Sequence, residues 1–222
     1  MTQSVFSSCL PVMVVGLALG LLACDASSKV NLLRVATSGR DGWQAPERVI
    51  ESLGIEAGDV VAEIGAGTGY WIPWLSRAVA PAGRVYAVDV DEDAIAALHA
   101  LVDRQQLRNV SVVFGEYHDP LLPDRQIDLA ITSKTYHHIE ARPEYFARLR
   151  GDLRPAGRVA HLDVRHDLHG PLRWLETTGH WMDPEQMDAE MTEAGYRRIA
   201  EFDFLLQQNF RVYALTERAP GH

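Results

Sequence analysis

The chain has 222 residues, 47% of them apolar, 23% charged and 8% aromatic, with a formal net charge of -9. This is the composition of a single globular domain, long enough to bury a core without disulfide or metal staples. The acidity argues against a duplex nucleic acid partner, which calls for a basic surface, and favours small molecules or neutral to cationic substrates.

The N-terminus reads as an address. No Asp, Glu, Lys or Arg occurs before Asp25, and Leu10 to Ala23 runs LPVMVVGLALGLLA. That run is short of the roughly 20 apolar residues a membrane span requires and suits the apolar region of a signal peptide. It closes on Leu21-Leu22-Ala23-Cys24, which resembles the cleavage box of bacterial lipoproteins. The resemblance implies a signal peptide over residues 1–23, a lipid on Cys24 and an enzyme anchored in the cell envelope. Asp25 resembles the signal that keeps some enteric lipoproteins at the inner membrane. The segment ahead of the run carries no positive charge, so an uncleaved hydrophobic tail, an early start codon and a cytoplasmic location stand as alternatives. Cys9 and Cys24 are the two cysteines, which leaves the globular body without a thiol for disulfides or Cys-based zinc. Residues 24–44 read as linker and lead-in, and residues 45–222 as the folded domain.

Along the body, short apolar runs alternate with amphipathic stretches, the pattern of βα units around a parallel sheet. Strands are predicted at Val60–Ile64, Val85–Val90, Val110–Phe114, Ile127–Thr132 and Arg158–Val164. Their near-continuous Val and Ile content suits strands covered on both faces. Ile72, Leu75 and Val79 share one helical face, as do Ile95, Leu98 and Val102, where Asp91, Glu92 and Asp93 place acid at the helix start. Pro155-Ala156-Gly157 is predicted as a turn, and Pro184 to Gly195 as a helix. Arg197–Leu206 and Phe210–Thr216 then pair as a terminal hairpin across Gln207-Gln208-Asn209. The expected fold is α/β: a doubly wound, Rossmann-like, mostly parallel seven-stranded sheet ending in an antiparallel hairpin.

The first strand ends in Glu63-Ile64-Gly65-Ala66-Gly67-Thr68-Gly69 and leads into a helix. Glycine at every second position allows close approach of backbone to a ligand. The following helix would turn N–H groups and its positive dipole end toward a carboxylate, while Glu63 would meet an ammonium group. Asp89, ending the second strand, is placed to accept hydrogen bonds from ribose hydroxyls. An amino acid moiety joined to a ribose is what S-adenosylmethionine offers. A dinucleotide fingerprint would carry Gly or Ala where Tyr70 stands, which sets the nicotinamide or flavin reading well behind.

These motifs resemble the class I S-adenosylmethionine-dependent methyltransferase family over residues 41 to 217. The resemblance implies a cofactor set of Glu63, Gly65, Ala66, Gly67, Gly69, Asp89, Val90, Glu116, Tyr117 and Lys134. In it, Phe114-Gly115-Glu116-Tyr117 meets the adenine and Asp128 to Lys134 forms the fourth strand and its site loop. Glu116 stands where Asp is commoner. Asp41-Gly42-Trp43-Gln44-Ala45-Pro46 and Tyr136-His137-His138-Ile139 resemble a subgroup of small bacterial methyltransferases, which implies Trp43 and Tyr136 as substrate contacts.

Methyl transfer from a sulfonium asks chiefly for proximity and water exclusion, with a general base only where the nucleophile must lose a proton. His137 and His138 follow the fourth strand at the carboxyl edge of the sheet and are the candidates for that base. The alternative is that one caps a helix and the other packs under the loop. His161, Asp163, His166 and His169 match no metal-ligand spacing, so no metal site is assigned. The segment carrying Trp174 and Trp181 is expected to cover the substrate, and Trp71 and Trp74 are weighed as cleft residues against core packing. A membrane-tethered nucleoside-binding protein without turnover remains the competing function.

Overall fold

A computed structural model describes residues 39–165 and 182–216 of the chain. The signal-like segment, Cys24, His166, His169, Trp174 and Trp181 lie outside the described residues. By contacts the chain divides into residues 1–43 and 44–222. Of the first unit only the start of helix α1 (Gly39–Gln44) is described, and it includes Trp43.

The second unit is built on a seven-stranded sheet in the order β3-β2-β1-β4-β5-β7-β6. The strands are β1 (Val60–Ile64), β2 (Arg84–Asp89), β3 (Val110–Phe114), β4 (Ile127–Ser133), β5 (Leu153–Val164), β6 (Tyr196–Phe202) and β7 (Gln208–Leu215). The first five pair in parallel, whereas β7 runs antiparallel to both β5 and β6. This is the doubly wound α/β architecture with the antiparallel terminal hairpin that the strand patterns predict.

The alternation of side chains along β1 sorts the core into two layers. Val61 joins one cluster with Val49 and Leu53 of α2 (Pro46–Leu53), Leu75 and Val79 of α3 (Ile72–Val79), and Leu98 of α4 (Glu92–Gln105). Ala62 and Ile64 join the other, with Phe146 and Leu149 of α5 (Arg142–Leu149) and Met187 and Met191 of α6 (Pro184–Glu193). Burial on both faces explains the apolar strand runs. Helix starts follow local chemistry: the Asp91 carboxylate accepts Ala94 N–H at 2.9 Å ahead of α4. Asp183 caps α6 in the same way, with Pro184 in the first turn.

The larger departures from the sequence reading lie at β5 and in the terminal hairpin, where β6 ends at Phe202; other ends move by one or two residues. β5 begins at Leu153, because Pro155-Ala156-Gly157 bulges out of an existing strand: Ile127 pairs with Leu153, and Leu129 already pairs with Arg158. The hairpin turn lies earlier than Gln207-Gln208-Asn209. Gln208 is 1% exposed and belongs to β7, where its side-chain amide donates to the Leu162 carbonyl at 2.9 Å. A polar side chain that reads as a turn is here a satisfied core group. Among the described residues no helix is long and apolar enough to cross a membrane.

Candidate active site

At the carboxyl ends of β1, β2 and β4 the loops enclose a cleft of about 330 Å³. Open α/β sheets bind ligands at this edge, where the chain order reverses between β1 and β4. Of the predicted cofactor residues, Gly65, Asp89, Val90, Glu116, Tyr117 and Lys134 line it. His138 lines it as well, together with Ile64, Val88, Ser133, Thr135, Ile139 and Tyr145, which the sequence analysis did not assign.

The glycine loop is held by its own backbone. Gly65 and Ala66 N–H both donate to the Val88 carbonyl at 2.9 Å, and Gly69 N–H donates to Ala66 at 2.9 Å. Gly67 N–H donates to the Asp89 carboxylate at 2.7 Å. The N–H groups of Gly65, Ala66 and Gly67 thus fasten the loop to β2. Glycine is needed for a different reason at two positions. A Cβ on Gly65 would lie 2.2 Å from the Thr135 side chain, and one on Gly69 would lie 2.4 Å from Leu101, both at positive φ. The first contact locks the β1 loop against the β4 loop, and Thr135 Oγ1 adds a 3.3 Å bond to the Gly65 carbonyl.

Asp89 organises the cleft from both of its oxygens. Oδ2 takes the Gly67 N–H, while Oδ1 takes Val90 N–H at 2.8 Å and Asp91 N–H at 3.1 Å. The lining combines the carboxylates of Asp89 and Glu116 and the Lys134 side chain with Ser133, Thr135 and His138 and with the aliphatic walls of Ile64, Val88, Val90 and Ile139. Acceptor oxygens for sugar hydroxyls beside apolar walls fit a cationic nucleoside. Glu63 is 2% exposed at the end of β1, and neither it nor Ala66, Gly67 or Gly69 lines the cleft directly.

Several expected residues sit elsewhere. Tyr136 is fully buried in the short 3-10 turn Tyr136–His138, stacked on Phe146 at 5.3 Å between ring centroids. Its hydroxyl donates to Glu190 at 2.8 Å, and burial, reinforced by Glu190, raises its pKa. Tyr136 is a core residue and does not line the cleft. Trp71 is likewise fully buried, and Trp74 packs against the same core beneath Arg77. His161 is a core histidine: its Nδ1 lies 2.8 Å from Thr132 Oγ1, and burial lowers its pKa to about 3, so it is neutral. His137 turns away from the cleft wall toward Asp163, with Nδ1 2.5 Å from Oδ1. The His138 ring is tilted 43° to it, with 4.0 Å between centroids.

Sheet order and cleft together define the class: an α/β domain of the Rossmann-like methyltransferase fold. Comparison with known proteins agrees. Residues 61–157 match a family model described as a methyltransferase domain. A S-adenosylmethionine-dependent methyltransferase from Aquifex aeolicus superposes with a TM-score of 0.71 at 25% identity, covering 86% of this chain and 99% of that one. The ubiquinone/menaquinone biosynthesis C-methyltransferase UbiE of Pseudomonas putida is 28% identical over 203 residues, 79% of each chain. An uncharacterized transposon protein of Streptomyces fradiae is 30% identical over 111 residues, half of this chain and only 32% of that protein. These likenesses support a class I S-adenosylmethionine-dependent methyltransferase, with S-adenosylmethionine as its cofactor.

Proposed function

We propose that the protein transfers a methyl group from S-adenosylmethionine to a small-molecule acceptor, and that a hydroxylated quinone-type ring is the first acceptor to try. The observation that carries the reading is Asp89: a carboxylate at the sheet edge, held by three backbone donors, in the wall of the cleft beside Ile64, Val88, Val90 and Ile139. Asp89 would hold the ribose hydroxyls, Val90, Glu116 and Tyr117 would flank the base, and Glu63 and the Gly65 loop would bound the amino acid end. The cofactor supplies a methyl group that is already electrophilic, so these residues serve to bind, orient and exclude water. The acceptor class is suggested by the name of the Pseudomonas relative, which resembles this chain along most of its length.

Calorimetric titration with S-adenosylhomocysteine tests the cleft, and transfer of labelled methyl from S-adenosylmethionine to lysate fractions finds the acceptor. Saturable one-to-one binding is expected. Binding of a nicotinamide dinucleotide in its place would refute the reading. Attachment to the cell envelope through Cys24 belongs to the same proposal and is tested separately by globomycin-sensitive processing of the full chain. A full-length product found only in the soluble fraction would contradict it.

A further inference from the structure

The carboxyl end of β4 carries a polar arrangement that the reading above does not use. Ser133 lines the cleft and is 8% exposed, and its Oγ accepts Gln44 Nε2–H at 3.4 Å. The direction of that bond is fixed from β5. The Leu162 carbonyl can only accept, so Gln208 gives it the amide NH2 at 2.9 Å and turns its own oxygen to Gln44 at 3.1 Å. Gln44 must then present its NH2 to Gln208 and to Ser133 alike. The Ser133 oxygen is thereby the acceptor in that bond, and its O–H hydrogen meets no acceptor among the described residues. The same Leu162 carbonyl takes Lys134 N–H at 2.8 Å and helps to hold that residue at φ +59, a region lysine seldom adopts. Among the described residues Lys134 is the one permanent cation of the lining, and it pairs with no carboxylate.

We propose that the end of β4 is an oxyanion subsite, in which the Ser133 hydroxyl and the Lys134 ammonium hold one negatively charged oxygen of a bound molecule. The identity of that molecule rests on the methyltransferase reading above. Asp89 and Glu116 present carboxylates from the ends of β2 and β3, so the cleft has an acceptor side and, at β4, a donor side. The carboxylates repel an anionic oxygen and confine it to β4. Sheet order sets β4 beside β1, next to the place proposed for the amino acid end of the cofactor. Two groups can bring the oxygen there: the cofactor carboxylate, or the ionised oxygen of an acidic phenol or enol that awaits the methyl group. Both call for the same charge-assisted hydrogen bonds, strengthened where the cleft excludes water.

Calorimetry on the full chain at about pH 8 tests the subsite with two pairs of probes, each a molecule with the anionic oxygen and a counterpart without it. S-adenosylhomocysteine is set against S-adenosyl-3-thiopropylamine, which keeps the ammonium and lacks the carboxylate. 4-Nitrophenol, ionised at that pH, is set against 4-nitroanisole. In at least one pair, Ser133→Ala and Lys134→Gln should each weaken the anionic member about 10-fold and leave its counterpart within about twofold, as loss of a charge-assisted hydrogen bond entails. Lys134→Arg should keep most of the affinity. Loss in the first pair assigns the subsite to the cofactor carboxylate, and loss in the second assigns it to the acceptor. A purely structural role would lower Tm and weaken both members of a pair alike. Equal losses within both pairs, unchanged affinity for both anionic probes, or a wild-type chain that binds neither of them each overturns the proposal. If the wild type fails to bind S-adenosylhomocysteine alone, the cofactor reading falls, and the nitrophenol pair, run without cofactor, still reads the subsite.

Discussion

Asp89→Asn separates the two tasks the structure gives to one side chain. The wild-type carboxylate holds Gly67 N–H at 2.7 Å on one oxygen and Val90 and Asp91 N–H at 2.8 and 3.1 Å on the other. Asparagine retains a single carbonyl oxygen. Its better orientation keeps the Val90 and Asp91 pair and turns the amide NH2 against the Gly67 donor. The loop loses one charge-assisted bond at a half-buried site, a cost of about 1–2 kcal/mol in stability. For a chain of this size that is a fall in Tm of about 2–8 °C. If Asp89 also clasps the sugar, the ligand loses a second charged bond of about 1.5–3 kcal/mol, or a weakening of S-adenosylhomocysteine by roughly 10- to 150-fold. Calorimetry below Tm measures the second effect, and thermal unfolding without ligand measures the first. A lowered Tm with affinity within twofold of wild type would refute the reasoning, because Asp89 would then only buttress the glycine loop.

Gly69→Ala forces a Cβ to 2.4 Å from Leu101 and 3.0 Å from Leu98 at φ +82, whereas Gly67→Ala at φ +55 meets nothing within 4 Å. Urea unfolding should show a loss of about 2–3 kcal/mol for the first and about 1 kcal/mol for the second, and equal losses would contradict the packing argument. Burial lowers His161 to about 3, so its neutral form is the folded one, and stability present above pH ~6.5 is lost as pH falls toward 3. The wild type should be about 2 kcal/mol less stable at pH 5 than at pH 8 from this group, and His161→Gln should remove that slope. Asp152 moves the opposite way: burial, then Asp119 and Asp124, raise it to about 6, so stability is present below pH ~4 and lost as pH rises through 6. Asp152→Asn should therefore stabilise by about 1–2 kcal/mol at pH 8 and be neutral at pH 4; a loss at both would show that the carboxylate is a useful acceptor.

The sheet was legible because its strands are buried on both faces, so apolar runs, glycine loop and acid-ended β2 all carry local signals. The cleft wall was half legible for the same reason. Gly65, Asp89, Val90 and Lys134 stand at strand ends, where position follows from topology. Tyr145 reaches the cleft from α5, a contact set by packing of distant segments, and nothing in its neighbours announces it. Tyr136-His137-His138-Ile139 shows how a run of adjacent residues misleads. In a 3-10 turn residues three apart share a face, so Tyr136 and Ile139 go to the core while the histidines diverge. One faces Asp163 and the other the cleft. The pairing of His137 with Asp163 needed the β5 register, which the bulge at Pro155 to Gly157 conceals from a one-dimensional reading.

The central claim is that this cleft grips a sulfonium nucleoside through Asp89. A crystal structure of the chain grown with S-adenosylhomocysteine examines it most directly. The account predicts the ribose hydroxyls within hydrogen-bond distance of Asp89 and the base between Val90 and Tyr117. Density for the ligand elsewhere, or a cleft that stays closed at saturating ligand, would contradict it.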